Sequence, residues 1–170
     1  MASGTKDYSF GPHLIRRTEI FAETPLSFAF VNLKPVVPGH VLVSSKRVEP
    51  RFTSLSGDEV ADLWNLAQEV GRVVEKQYSA SSLTLAIQDG QHAGQSVPHV
   101  HVHILPRRPG DFEKNDDVYD AIDDASKVLA SGRSARGGGG PGEKLDLDAE
   151  RRIRTPDEMA AEAAELSLLF

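Results

Sequence analysis

The sequence predicts an α+β fold in which one long helix covers an antiparallel sheet, and two observations support this prediction. Residues 27–31 and 40–44 are apolar runs rich in β-branched and aromatic residues, and a short segment with prolines and a glycine joins them. Strands with so short a connection are usually neighbours, so we expect these two to pair antiparallel. Residues 57–78 repeat their apolar residues at helical spacing.

The predicted helix over residues 57–78 has a defined start. Ser56 and Glu59 fit a capping box, in which the two side chains satisfy backbone N–H groups at the helix N-terminus. The apolar positions that follow are Val60, Leu63, Trp64, Ala67, Val70 and Val74. This stripe predicts that one face of the helix packs on the sheet.

Two further strands are predicted after this helix. In residues 82–87 the apolar side chains alternate, with Leu83, Leu85 and Ile87 on one face. The stretch 98–106 also alternates, and a proline closes each end, as is typical of a short strand. Successive strand side chains point to opposite faces, so one face carries three of the six histidines of the chain. These are His99, His101 and His103.

The rest of the chain divides by composition. Residues 1–9 are expected to be an N-terminal tail and residues 10–130 the domain, with a helix near 117–130. The glycine-rich stretch 131–150 is expected to be a flexible linker, because it cannot offset its ordering entropy. Residues 151–170 are expected to return to the same domain as a C-terminal helix.

The start of that C-terminal helix is marked by three residues. Thr155 can cap it, Pro156 suits its first position, and Glu158 completes a capping box. Its buried stripe is expected to consist of Met159, Ala163, Leu166 and Phe170.

Composition excludes several functional classes. The chain has 170 residues, no cysteine and a net charge of -6. A disulfide framework and a thiolate–zinc site are therefore excluded, and broad nucleic-acid binding is disfavoured. No apolar run approaches the ~20 residues that cross a bilayer. We expect neither nucleic-acid nor membrane partners, and a cytoplasmic location with the nucleus as an alternative.

Three imidazoles on one strand face are a poor way to build a core, because each buried ring nitrogen needs a hydrogen-bond partner. Three explanations compete. The face is a polar surface, or it is a metal site in which His-x-His supplies two zinc ligands. The third explanation is phosphoryl or nucleotidyl transfer, with one imidazole as nucleophile and the others as hydrogen-bonding or proton-transfer groups.

The loop before the histidines favours transfer. Gly90 and Gly94 permit close approach of a ligand to the backbone, while the Gln95 amide and the Ser96 hydroxyl are neutral donors suited to phosphate oxygens. A zinc site would call for acceptors behind its histidines, and locally only Asp89 stands out. We therefore predict no metal ligands.

The motif around the histidines resembles that of a known family. Between His99 and Leu105, histidines alternate with apolar residues as in the signature of the histidine triad superfamily. Similarity to its fragile histidine triad branch, the diadenosine triphosphate hydrolases, covers almost the whole chain except the glycine linker. It is carried by residues 10–15, 31–43, 88–97, 110–116 and 158–163. Residues 82–90 and 144–148 look most similar to plant-lineage members.

The resemblance implies a fold and an activity. The fold is a five-stranded antiparallel sheet with one long and one C-terminal helix, continued across a homodimer that would cover a sheet edge. The activity is hydrolysis of diadenosine triphosphate to AMP and ADP through a covalent adenylyl-histidine. Adenylyl sulfate, cleaved to AMP and sulfate, is an alternative or a second substrate, and a nucleotide-binding signalling protein is the alternative from another class. No tightly bound cofactor is implied, although Mg or Mn can accompany the nucleotide.

The resemblance also implies the catalytic roles. His101 would be the nucleophile, and the backbone carbonyl of His99 would orient it. His103 and Gln95 would hold phosphate oxygens, and His40 would support the triad from behind. From the residues alone, His40 is better explained as a hydrogen-bonded strand histidine than as a member of the site.

Substrate contacts follow from the same resemblance. Asn32 and Gln88 match positions that bind the ribose and phosphate, and His13 matches a further contact. The phosphate side is completed by Gly94, Gln95, Ser96, Val97 and His103. Two alternatives stay open: Asn32 is only a turn residue, and the apolar side chains of Phe10, Val31 and Leu42 form either an adenine pocket or plain core.

Overall fold

The computed structural model describes residues 6–130 and 152–170. The strands in these ranges are β1 (Tyr8–Phe10), β2 (His13–Ile15), β3 (Ile20–Glu23), β4 (Ser27–Val31), β5 (Val41–Ser45), β6 (Ser82–Ala86) and β7 (His101–Arg107). The helices are α1 (Gly57–Gln77), α2 (Asp117–Ala130) and α3 (Pro156–Ser167).

A five-stranded antiparallel sheet has the order β3–β4–β5–β7–β6, and β1 and β2 form a separate hairpin. The predicted α+β class and five-stranded sheet are confirmed.

One face of the sheet forms the main hydrophobic core. Alternate residues of the central strands point towards α1 and α3, because strand side chains alternate between faces. The buried set includes Ala29, Val31, Val43, Val102 and Ile104 from the sheet, Leu63, Leu66, Val70 and Val74 from α1, and Met159, Ala163 and Leu166 from α3. Helix α3 therefore packs on the same core as α1.

The opposite face carries the histidines. His101 and His103 lie opposite Ser44 and Leu42 of β5, so these four side chains share the face. Hairpin β1–β2 covers one part of it through a cluster of Phe10, Ile15, Phe28, Phe30, Leu42 and Val97. Helix α2 covers another part through Val118, Ile122 and Ala125, which pack with Leu105, Val36 and Val37. These two clusters flank the histidines.

The helix predictions are confirmed at their starts. The side chains of Ser56 and Glu59 form the capping box of α1, and those of Thr155 and Glu158 form that of α3. Trp64 is 37% exposed, so it lies at the edge of the buried face of α1 and not within it. None of the described helices combines the length and apolar character that a bilayer-spanning segment requires.

Strand β7 differs from its prediction at both ends. It begins at His101 and continues through Pro106 to Arg107, although proline was expected to end it. Pairing with β5 extends only to Ile104, while β6 pairs with β7 as far as Arg107. Arg107 accepts a hydrogen bond from Ser81 on the β6 side, so the Pro106 nitrogen faces the side where β5 has ended. A proline costs no ladder hydrogen bond there.

Short elements at the ends of the chain were also mispredicted. β1 begins at Tyr8, so the expected tail of residues 1–9 is wrong for its last two positions. Phe170 lies beyond the end of α3 and is 39% exposed, and so does not extend the buried stripe. The predicted linker over residues 131–150 lies outside the described residues.

Candidate active site

His101 is held by one strong hydrogen bond. Its Nδ1 lies 2.7 Å from the backbone oxygen of His99. A carbonyl oxygen only accepts, so Nδ1 carries the proton and Nε2 of the neutral ring is left as a lone pair. Among the described residues none hydrogen-bonds to this Nε2, although the side chain is only 2% exposed. The ring is therefore prepared to act as a nucleophile or base through Nε2.

The ring of His99 has a structural role. The backbone N–H of Gly11 donates to His99 Nδ1 at 3.1 Å, so the proton of the neutral ring is on Nε2. Nε2 lies 2.8 Å from the backbone oxygen of Ser45, to which it donates. Both ring nitrogens are thus used by the protein, and the residue acts on His101 only through its backbone carbonyl. The predicted orienting role requires this contact between the His99 carbonyl and His101.

His40 and His103 form a second fixed pair. The N–H of Val36 donates to His40 Nδ1 at 3.1 Å, which places the His40 proton on Nε2. His40 Nε2 then donates to His103 Nδ1 at 3.0 Å. His103 must therefore carry its own proton on Nε2, a buried atom without a partner among the described residues. The pair presents an N–H donor beside the lone pair of His101, whose ring centroid is 4.9 Å from that of His103.

The histidines are held in their neutral forms. Desolvation by burial lowers the pKa of His101 to about 4 and that of His40 to about 3. Burial is also the main cause of the lowered pKa values of His103 and His99, and the pKa of His103 lies well below its usual value. Phe10 contributes to this burial, because its ring packs edge-on to His101 at 5.0 Å and also touches His99. At neutral pH the site is an uncharged chain of imidazoles.

The loop from Gln88 to Val97 is clamped beside the histidines. The Asp89 carboxylate accepts from the Phe52 N–H at 2.7 Å and pairs with Arg51 at 3.1 Å. The hydrogen bond and charge of Arg51 lower the pKa of Asp89. Gly94 has a left-handed φ of 85°, which a glycine adopts without strain. A backbone turn that needs glycine is thus fixed next to the triad.

The predicted phosphate-side residues have different surroundings. The Gln95 amide nitrogen donates to the Pro50 oxygen at 2.8 Å, leaving its second N–H for a ligand. Ser96 Oγ is buried without a partner among the described residues. The Val97 side chain is fully buried in the cluster with Phe10, so only its backbone can serve a ligand. Gln88 donates its amide N–H to Asp123 of α2, and its Oε1 is buried without a described partner.

His13 lines a cavity of about 330 Å³ whose wall does not include the triad histidines. Its Nε2 is buried without a described partner. The wall is largely apolar and includes Leu14, Ile15, Phe30, Leu33, Leu42 and Met159. Val31 and Leu42 line this cavity and also belong to the buried clusters, whereas Phe10 packs on the histidines.

Asn32 makes the turn contact that one interpretation predicted, and it also contacts His40. Its Oδ1 accepts from the Lys34 N–H at 3.1 Å, which is a turn contact. Its Nδ2 lies 3.5 Å from His40 Nδ1, the accepting nitrogen of that ring, which connects the turn to the second histidine pair. The residue is buried, so its orientation is set by these contacts.

Arg154 supports this turn and was missed by the sequence analysis. Its backbone N–H donates to the Leu33 oxygen at 2.9 Å and its Nε donates to the Asn32 oxygen at 2.9 Å. The guanidinium also pairs with Glu162, which accepts from the Tyr78 hydroxyl at 2.6 Å. The C-terminal segment thereby fixes the turn beside His40. A single arginine in a polar stretch gives no sequence signal for such a long-range contact.

A zinc site was one competing explanation of the histidines. Within residues 6–130 and 152–170, no group of three or more His, Cys, Asp or Glu side chains is arranged to hold a metal ion. The hydrogen bonds explain this result, since both nitrogens of His99 and of His40 are already used by the protein.

An antiparallel sheet that presents neutral, tautomer-fixed histidines beside a glycine-containing loop defines a histidine triad protein. The HIT domain matches residues 16–110, and the chain belongs to this family. Its relatives place it in the fragile histidine triad branch and, as predicted, close to a plant member.

Two curated relatives resemble nearly the whole chain. The bifunctional bis(5'-adenosyl)-triphosphatase/adenylylsulfatase of Arabidopsis thaliana is 53% identical over 170 residues, which is 100% of this chain and 88% of that protein. The bis(5'-adenosyl)-triphosphatase of Dictyostelium discoideum is 45% identical and covers 95% of this chain and 91% of its own. The crystal structure of the NitFhit protein of Caenorhabditis elegans matches with a TM-score of 0.74 and 39% identity. That match covers 99% of this chain and 31% of the longer NitFhit chain.

Buried neutral histidines predict acid sensitivity. In the unfolded chain His40 and His101 take up protons near pH 6.5, whereas in the folded protein their pKa values are about 3 and about 4. The unfolded state then binds more protons, so the free energy of unfolding should fall by about 1.4 kcal/mol per pH unit per histidine below pH 6.5. Urea unfolding between pH 7.5 and 5 measures this slope. In the His101→Asn variant, the free energy of unfolding should change less steeply with pH, by the contribution of one histidine. An unchanged slope in this variant would contradict the prediction.

Replacement of Arg154 should lower the stability of the fold. Arg154→Ala leaves the mostly buried Glu162 carboxylate and the Asn32 carbonyl without this partner, so we expect a loss of about 3 kcal/mol in the free energy of unfolding. Arg152→Ala is the matched control, because that arginine is 57% exposed and pairs with Glu158 at the surface. Equal losses in the two variants, measured by urea unfolding, would argue against the buried clamp.

Proposed function

We propose that the protein is a bis(5'-adenosyl)-triphosphatase, an enzyme that hydrolyses diadenosine triphosphate to AMP and ADP, with adenylyl sulfate as a second substrate. The observation that carries the proposal is the hydrogen-bond pattern that leaves a lone pair on His101 Nε2 and a proton on His103 Nε2. A nucleophile and a phosphate-oxygen donor are what transfer at phosphorus needs. The names of the Arabidopsis and Dictyostelium relatives support this substrate class.

The first step forms a covalent adenylyl-histidine. The lone pair of His101 Nε2 attacks the α-phosphorus, and the P–O bond to ADP breaks, with its electron pair leaving on ADP. The imidazole becomes positively charged, and the hydrogen bond from Nδ1 to the His99 oxygen stabilises that charge. His103 Nε2–H, supported by His40, donates to a phosphate oxygen.

The second step returns the enzyme to its first state. Water attacks the same phosphorus, the P–N bond breaks, and its electron pair restores the lone pair of His101 Nε2. AMP leaves as its dianion, and both protons of the water pass to the solvent. Dividing the displacement in two lets one site serve both the leaving nucleotide and the incoming water.

The remaining residues divide between the phosphates and the nucleoside. We assign phosphate contacts to Gln95, Ser96 and the backbone of Gly94 and Val97, which lie in the clamped loop. Asn32 and Gln88 are assigned to the ribose and phosphate, and His13 with its cavity to the nucleoside. The buried polar atoms of His13, Gln88, Ser96 and His103 have no described protein partner, and a nucleotide would supply one to each.

Adenylyl sulfate fits the same chemistry, since attack on its phosphorus expels sulfate in place of ADP. The bifunctional name of the Arabidopsis relative favours this second substrate. We also propose that Mg or Mn, where it is required, arrives with the phosphates of the substrate. The predicted cytoplasmic or nuclear location stays a prediction from sequence.

The test of the proposed function is product analysis. Under single turnover with diadenosine triphosphate labelled at the α-phosphate, we expect a transient label on His101 and then labelled AMP. The His101→Asn variant removes the attacking lone pair, so turnover should fall at least about 1,000-fold while nucleotide binding is kept. His92→Asn, at an exposed loop position, is the matched control and should be fully active.

Two results would overturn parts of this proposal. Turnover by His101→Asn near the wild-type rate would remove the nucleophile assignment. No AMP from either substrate would remove the hydrolase assignment and favour a protein whose nucleotide complex is its output.

We further propose that the protein is a homodimer whose sheet continues across the β6 edge. Among the strands that the structure describes, β6 pairs only with β7 and ends the sheet, and its Leu85 is 45% exposed. The other edge strand, β3, carries a register irregularity between Ile20 and Ala22, which disfavours pairing with a second chain.

Sedimentation should show a dimer at micromolar concentration. Leu85→Lys places a charge on the β6 edge and should shift the protein towards monomer, whereas Val48→Lys, at another site that is 46% exposed, should not. A wild-type monomer would contradict the proposal.

A further inference from the structure

The carboxylate of Asp123 lies against the loop assigned to the phosphates. Asp123 is on α2, and its Oδ1 accepts a hydrogen bond from the amide of Gln88. A Cβ added to Gly94 would lie only 3.0 Å from the same oxygen. The carboxylate therefore occupies the space beside the residue that directly precedes Gln95 and Ser96.

This charge is not neutralised by an ion pair. Within the ranges that the structure describes, no lysine, arginine or histidine forms a salt bridge with Asp123. Arg51, the cation at this loop, pairs with Asp89, and Lys127 pairs with Asp124. An unpaired carboxylate beside a loop that binds phosphate repels each further negative charge on the ligand.

Asp123 is also unable to move away easily. Its neighbour Ile122, together with Val118 and Ala125, is buried in the cluster that packs α2 on Leu105 and on Val36 and Val37. The packing of the helix thus fixes the backbone of Asp123, and the hydrogen bond from Gln88 orients its carboxylate towards the loop. A fixed charge discriminates between ligands, whereas a mobile one would turn towards solvent.

We propose that Asp123 is a specificity-determining residue, which selects substrates by the negative charge of their phosphate chain. This proposal rests on the proposed function. Adenylyl sulfate carries the least negative charge, so Asp123 should weaken its binding least. Binding of diadenosine triphosphate should be weakened more, and that of diadenosine tetraphosphate most. A divalent cation on the phosphates lowers their net charge and should relieve part of the penalty.

Asp123→Asn tests the charge with little change of shape. The asparagine retains an Oδ1 that can accept from Gln88, so the amide of Gln88 keeps its partner. Asp124→Asn is the matched control, because it removes the same charge from the adjacent residue, whose side chain is 72% exposed.

We expect Asp123→Asn to lower KM in an order set by charge, by about threefold to tenfold for each additional negative charge, with kcat little altered. The effect should shrink at high ionic strength and when Mg is added. Asp124→Asn should leave the order of the three substrates unchanged.

The same series of ligands is measured by calorimetry on the His101→Asn background, which needs no turnover. An equal change for all three ligands, or no change in Kd, would overturn the role of Asp123. If no AMP is released from any substrate but the Kd values still change in order of charge, the proposed function fails and the charge selection stands.

Discussion

The site depends on one constraint, which is that four imidazoles are buried together without charge. Each buried ring nitrogen then needs a definite role as donor or acceptor. Three main-chain groups decide these roles: the N–H of Gly11 for His99, the N–H of Val36 for His40, and the carbonyl of His99 for His101. The remaining proton positions follow from these contacts. Because His40 Nε2 donates to His103 Nδ1, the proton of His103 must be on its Nε2. The positions of main-chain atoms fix the tautomer of His101, and no neighbouring carboxylate is needed to leave the lone pair on its Nε2.

Those main-chain atoms come from distant parts of the sequence, which explains much of the architecture around the sheet. Gly11 lies between β1 and β2, and its hairpin is held by the cluster that contains Phe10, Phe28 and Phe30. Val36 belongs to the proline-containing turn between β4 and β5, which Arg154 and α2 support from two sides. Short segments with little periodicity thus determine the protonation pattern of the triad.

This arrangement also explains which features could be predicted from sequence. Long periodic elements, such as α1 and the paired strands β4 and β5, follow from local patterns and were predicted with nearly correct bounds. The strand that carries the triad was predicted too, although its course through Pro106 depends on where the neighbouring strand β5 ends. Strands of three or four residues gave no periodic signal. Arg154 and Asp123 gave none either, because their roles exist only through contacts with residues far away in the chain.

The charged side chains and the neutral histidines of the site have different tasks. Ion pairs such as Arg51–Asp89 and Arg154–Glu162 hold the segments that bear the site, while the histidines that would meet the reacting phosphorus remain uncharged. A charged group within the imidazole chain would shift the pKa of His101 and alter its lone pair. A charged group beside the adjacent loop would act on the ligand instead. Asp123 on α2 lies beside that loop, hydrogen-bonded to Gln88 and without a described bond to any histidine. Under the proposed function, a substitution at this position of α2 would change substrate preference without altering the tautomer of His101 on β7.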